Sequence, residues 1–175
     1  MRRCIITGGP GAGKTTLLQA LHNQGFNTAA EASRQVIKEE VAKESNCLPW
    51  VNLSCFAPKV LARMVQLYQS TGLATQTTFF DRGIPDIIAY LQVANEPVTE
   101  IYYDTLERHP YHPTVFIAPP WPEIYVNDSE RWQTFAEAKA IYMAIKQTYQ
   151  SLQYTTVELP KSPVEERVKF VLSSI

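Results

Sequence analysis

Net charge of one sign is almost absent: 16 Lys and Arg face 17 Asp and Glu, leaving a formal charge of −1 over 175 residues and a pI near 6.3. General nucleic-acid binding needs a basic excess, so that class is excluded and only a local basic site stays open. Cysteine is scarce, with Cys4, Cys47 and Cys55 forming no CxxC pair, so neither a disulfide framework nor a zinc site is indicated. Reduced thiols in a cytoplasmic protein are the expectation. Long hydrophobic runs are missing as well. "MRRCIITGG" offers only Cys4, Ile5 and Ile6 before glycine, too short for a signal core, and no stretch approaches membrane-spanning length. His22, His109 and His112 have no metal-binding spacing, and no repeat or low-complexity tract is present.

What is present is an ordinary globular balance, 45% hydrophobic and 19% charged, at a length that suits one domain over residues 1–175. Apolar runs alternate with helical periodicity. Arg3 to Thr7 reads as a strand ending at glycine, "KTTLLQALHNQG" as a helix, Phe26 to Ala30 as a second strand, and "EASRQVIKEEVAKE" as a helix with a Val36, Ile37, Val41 stripe. Ser45 to Pro58 reads as a surface connection or lid. Helical spacing resumes in "KVLARMVQLYQSTG", followed by a third strand, "TTFFD", helices near Ile87 to Val93 and Thr99 to Glu107, and a fourth strand from Thr114 to Ala118. Thr134 and Glu137 form a capping box before a long helix, "YTTVEL" is a fifth strand, and Ser162 with Pro163 opens the last helix. This alternation predicts a parallel α/β sheet covered on both faces, with ligands outside the carboxyl ends of its strands.

One such end carries "GGPGAGKTT". Gly8, Gly13, Lys14 and Thr15 complete GxxxxGK[ST] between a strand and a helix, the setting in which this motif holds nucleotide phosphate. Gly8, Gly9, Gly11, Ala12 and Gly13 let backbone N–H groups face the phosphates, Lys14 neutralises their oxygens, and Thr15 offers a hydroxyl to Mg²⁺, with Thr16 beside it. ATP or GTP with Mg²⁺ is the expected cofactor pair.

Asp81 ends a strand in "TTFFDRG", where a carboxylate reaches Mg²⁺ directly or through water. Glu31 and Arg34 are spaced to share a helix face; the acid suits proton acceptance and the arginine a two-donor clamp on phosphate. Arg82 follows Asp81 where large mechanochemical ATPases often place glutamate, which argues against a motor. Asp86 is a candidate for binding substrate hydroxyls or for capping the next helix. Arg131, after the fourth strand, is placed for a lid arginine over the transferring phosphoryl group. Trp121, Tyr125 and Trp132 are candidates for a base pocket or for packing.

With "ITGGPGAGKTT", "EASRQVI", "FFDRGIPDIIAYL", "PPWPEIYVNDSERWQTF" and "VELPKSPVEERVKFVL" in that order, the chain resembles a bacterial family of small P-loop proteins labelled AAA-domain or predicted ATPase. That family is similar to nucleoside and nucleotide kinases, including the ribosylnicotinamide kinase domain. The resemblance implies a three-layer, kinase-like P-loop NTPase fold whose five-stranded parallel sheet has order 2-3-1-4-5, with a lid after the fourth strand. It makes Asp81 with Arg82 the counterpart of the nucleoside kinases' acidic-Arg motif, puts Glu31 near their base or substrate acid, and, by analogy, turns Leu159 to Pro163 toward the purine. The expected activity is transfer of the γ-phosphoryl group to an unidentified small-molecule acceptor of nucleoside or nucleotide type, with Lys14, Asp81, Glu31, Arg82 and Arg131 catalytic and Glu31, Arg34, Arg82 and Asp86 holding the acceptor. A nucleotide switch or slow NTPase acting through a protein or lipid partner is the second expectation.

Overall fold

The computed structural model describes residues 2–72, 76–125 and 134–175. Five strands form one parallel sheet: β1 (Arg3–Gly8), β2 (Asn27–Ala29), β3 (Thr78–Asp81), β4 (Thr114–Ala118) and β5 (Thr155–Glu158). Their spatial order is β2-β3-β1-β4-β5, as the family resemblance implies. β1 is central, with Ile6 opposite Asp81 of β3 and Gly8 opposite Ala118 of β4. Three strand ends thereby meet at one edge. Glycine is required at position 8, because a Cβ there would run into the Ala118 carbonyl.

The period of two along each strand sends alternate side chains to opposite faces, and both faces are covered. On one side Cys4, Ile6, Phe79 and Phe116 pack against Leu17 and Leu21 of α1 (Lys14–Asn23) and Val168 and Val171 of α7 (Val164–Ser173). On the other, Ile5, Phe80, Val115 and Ile117 meet α2 (Ala32–Ala42), α3 (Leu53–Ser70), α4 (Ile84–Val93), α5 (Glu100–Arg108) and α6 (Phe135–Ser151). Fully burying one such Ile or Phe side chain contributes about 1.5–3 kcal/mol before ordering entropy is counted.

Four local expectations change. α3 starts at Leu53, inside the stretch read as a connection, because the Asn52 side chain accepts from Cys55 N at 3.0 Å and caps it; Pro58 is carried within the helix. α2 buries Glu40 and leaves Val41 54% exposed, since Lys59 reaches Glu40 from α3 at 2.8 Å and Lys43 adds a second ion pair. α7 begins at Val164 with Pro163 as its cap residue, one place later than the Ser162 cap, and the Ser162 hydroxyl is buried without a partner among the described residues. Cys47 and Cys55, expected as free thiols, are joined as a disulfide across the turn before α3, with Cα atoms 5.2 Å apart. Elsewhere Thr134 and Glu137 form the expected capping box at the start of α6. No described helix is long and apolar enough to cross a membrane.

Candidate functional site

The turn from β1 to α1 is built for an anion. Gly11 and Gly13 take left-handed φ values of 71° and 72°, and Gly13 caps α1 without a side-chain hydrogen bond. The first turn of α1 holds no acidic residue, so its N–H groups and the helix dipole are available to phosphate. Lys14 folds back over the turn and donates to the carbonyls of Gly8 at 3.2 Å and Gly9 at 2.9 Å. Burial, and then the neighbouring Arg82 charge, pull its ammonium down to a pKa of about 8. Thr15 and Thr16, in the same first turn, are exposed.

Opposite the turn stands Arg82, a buried arginine held at φ 71°. Its Nε donates to Glu31 Oε1 at 3.2 Å, and its Nη1 to the Gly8 carbonyl at 3.0 Å and Asp86 Oδ1 at 3.1 Å. Asp86 is fully engaged by the protein. Thr7 Oγ1 and Arg82 donate to one oxygen, Gly83 N at 2.9 Å and Tyr149 OH at 2.6 Å to the other. Of its two candidate uses, the helix cap is the one observed: Asp86 also pins β1, α4 and α6 around the arginine.

Glu31 lies at the start of α2, its side chain 20% exposed, accepting from Ser33 Oγ at 2.7 Å as well as from Arg82. Arg34 Nε is 3.8 Å from its second oxygen. Burial raises its carboxyl, but Arg82, Lys14, Ser33 and Arg34 together outweigh that and hold it down at about 2. Asp81 has the reverse balance. Burial dominates, only partly offset by Lys14, and lifts the carboxyl to about 6, while its Oδ1 is buried with no hydrogen-bond partner among the described residues.

That orphaned oxygen is a test of fit for a divalent cation. Asp81, Thr15 and Glu31 line one cleft of about 350 Å³, and a hydroxyl plus a carboxylate, completed by phosphate oxygens and water, is a suitable set for Mg²⁺. The described residues contain no group of three or more acidic, histidine or cysteine ligands, so an all-protein metal cage is not what this site offers. A second cavity, of about 390 Å³, starts at the phosphate turn, passes Glu31, Arg34, Arg82 and Asp86, and continues between α3 and α4.

Arg167 was not singled out from the sequence. From α7 its Nη1 and Nη2 donate to the carbonyls of Gly13 at 3.3 Å and Ala12 at 3.4 Å, and it lies 6.0 Å from the Trp121 ring. A signal existed: Arg167 interrupts the apolar face made by Val164, Val168 and Val171. The ring of Tyr125 rests against Gly11 and meets Phe135 edge-on at 5.3 Å, so aromatic packing covers the turn. Arg131 and Trp132 lie outside the described residues.

The family model described as an AAA domain matches residues 3–167. No curated protein matches the sequence. Among solved structures, deoxyadenosine kinase from M. mycoides, with dCMP and dCDP as products, superposes with a TM-score of 0.67 at 14% identity over 98% of this chain and 97% of its own. Thymidylate kinase from Ehrlichia chaffeensis gives 0.63 at 14% identity over 99% and 98%. The NadR protein in complex with NR gives 0.70 at 14% identity over 99% of this chain and 50% of that one. The fold is that of the P-loop kinases.

Proposed function

This chain belongs to the AAA-domain family, and on that footing we propose that it is a Mg²⁺-dependent phosphotransferase that moves the γ-phosphoryl group of ATP or GTP to a small molecule. The observation that carries the reading is the second cavity: it begins at the phosphate turn and runs on, as one continuous space, past Glu31 and Arg82 to an apolar end between α3 and α4. A hydrolase needs room for water alone.

Gly8, Gly9, Gly11, Ala12 and Gly13 form the turn around the donor phosphates, Lys14 leaves its carbonyl contacts to bind their oxygens, and Thr16 flanks them. Thr15 and Asp81 would hold Mg²⁺, which supplies charge neutralisation on the β and γ oxygens. Arg82 and Arg34 steer the acceptor and the moving phosphoryl group. Glu31 takes the acceptor proton; an arriving polyphosphate draws Lys14 toward itself and its charge offsets that of the fixed Arg82, and this weaker hold on Glu31 restores some of its basicity. Asp86 keeps Arg82 in place. Rate enhancement then comes mainly from positioning and charge compensation.

The test is to incubate the protein with γ-labelled ATP or GTP, Mg²⁺ and a panel of nucleosides, vitamins, nucleotides and alcohols, and to look for a labelled acceptor. Label in an acceptor is the expected result. Label only in inorganic phosphate, with a partner protein or lipid binding differently in the triphosphate and diphosphate states, would instead establish the switch.

A further inference from the structure

The compartment beyond Arg82 has an unusual lining for a substrate that must be recognised by hydrogen bonds. Its walls are Ile37 of α2, Phe56, Val60 and Met64 of α3, Ile87 of α4 and Ile141 of α6. These residues lie within helices, where main-chain donors and acceptors bond one another. The charged and hydroxyl side chains of Lys14, Thr15, Thr16, Glu31, Ser33, Arg34, Arg82 and Asp86 gather at the cavity's phosphate end. There Ser33, Arg34 and Arg82 are engaged with Glu31, Arg82 also with Asp86, and Lys14 with the turn carbonyls, while Glu137 is engaged with Thr134. Tyr90 stands beside Arg82, whose guanidinium lies 5.5 Å from its ring. At the outer rim the apolar character continues, with Trp50 48% and Val93 45% exposed.

A nucleobase brings several donors and acceptors, and each one buried here without a partner lowers affinity roughly tenfold or more. A hydrocarbon body has no such penalty and gains by leaving water. At about 390 Å³ the whole cavity lies within the range that encloses small ligands. We propose that the acceptor is a compact apolar alcohol, whose hydrocarbon body fills the chamber among α3, α4 and α6 and whose hydroxyl faces Glu31, Arg34 and Arg82. This rests on the phosphotransferase reading and narrows it away from the nucleoside-like acceptor that the family resemblance implies. The alcohol oxygen forms a bond to Pγ, the bond from Pγ to the β–γ bridging oxygen breaks, and the alcohol proton passes to the Glu31 carboxylate and on to solvent. The products are the alkyl monophosphate and the nucleoside diphosphate.

The chain, loaded with Mg²⁺ and a non-hydrolysable ATP analogue, is titrated calorimetrically with geraniol, cinnamyl alcohol and deoxyadenosine, and parallel samples with ATP are analysed for phosphorylated product. At least one of the two alcohols should bind about tenfold or more tightly than deoxyadenosine. Val93→Asp, on the exposed rim, should weaken the alcohol about threefold or more while leaving the ATP analogue unaffected, with a melting curve confirming that the variant folds. Failure of both alcohols to bind, tighter binding of deoxyadenosine, or alcohol binding indifferent to Val93→Asp would overturn the proposal. Phosphorylated deoxyadenosine without alcohol binding overturns it and leaves the phosphotransferase intact. An alcohol that binds in the chamber yet gains no phosphate is not the acceptor and overturns the proposal as well; the phosphotransferase then falls only if the whole labelled-acceptor panel also stays unphosphorylated.

Discussion

Asp81 and Glu31 are two carboxylates near the same lysine, yet burial wins at one and arginine at the other. The raised pKa of Asp81 means that the folded, metal-free protein holds that proton more tightly than the unfolded chain does. Its stabilising share is therefore complete below a pH of about 4 and is lost as pH rises through about 6. Asp81→Asn removes the buried charge, so above that pH it should raise the unfolding free energy of the metal-free protein by about 1–3 kcal/mol. Urea melts in a chelator should show the gain shrinking toward acid pH, where the wild-type carboxyl is itself neutral. Glu31, whose charge helps to raise Asp81, shifts the opposite way and stays ionised over this range. The same variant should lose Mg²⁺-dependent turnover. Glu31→Gln tests the other carboxylate: donor binding, followed with a fluorescent nucleotide, should stay nearly unchanged while turnover falls about a hundredfold. Unchanged turnover would remove Glu31 as proton acceptor.

At the scale of elements, the segment leading into α3 shows where sequence reading succeeds and where it stops. The phosphate turn was legible because its information is local: an apolar strand, glycines and a lysine at fixed spacing. Glu31, Asp81 and Arg82 could be placed near it because strand ends in a parallel sheet share one edge. Arg167 and Glu40 were not legible in the same way, since their partners, Ala12 and Lys59, come together only through the tertiary fold. The start of α3 was lost because prolines, polar residues and large apolar groups mix from Ser45 to Pro58, as in a surface connection, although Asn52 caps the helix there. The Cys47–Cys55 pair was missed because a spacing of 8 residues fits no metal or redox motif. It brackets Pro49, Trp50 and Leu53, which line the long cavity. Titration of the oxidised, folded protein with a thiol reagent should find no fast-reacting group, since Cys4 is buried and its thiol pushed up to about 11. Reduction should release two reactive thiols. Replacing both by serine should lower stability by about 2–3 kcal/mol in a denaturant melt, the loop-entropy expectation for so short a link.

For the whole molecule, nucleotide binding is a stability measurement in disguise. A ligand that binds only the folded chain adds about 2.7 kcal/mol at a hundredfold excess over its dissociation constant. For a domain of this size, that is an upward shift of roughly 5–10 °C in melting temperature. Mg²⁺ with ATP or GTP should produce the shift, and the preferred nucleotide should produce the larger one. Lys14→Ala, by weakening the triphosphate roughly ten- to hundredfold, should cut the shift to between about a half and about a sixth. An undiminished shift in that variant would move the phosphate contact elsewhere. The sheet order itself was legible only through family resemblance; strand and helix alternation predicts a parallel sheet but leaves open which strand sits in the middle.

That middle position sets a timetable for synthesis. β1 is made before both of its neighbours, since β3 and β4 begin at Thr78 and Thr114, and Arg167 reaches the phosphate turn from α7 later still. The nascent chain must carry an apolar, unpaired β1 until β3 has been made, and the donor site gains its last wall only when α7 emerges. Ribosome-bound chains stalled before Arg167 should therefore be sensitive to protease and expose β1 to chaperones, even though every residue of the phosphate motif has already been made.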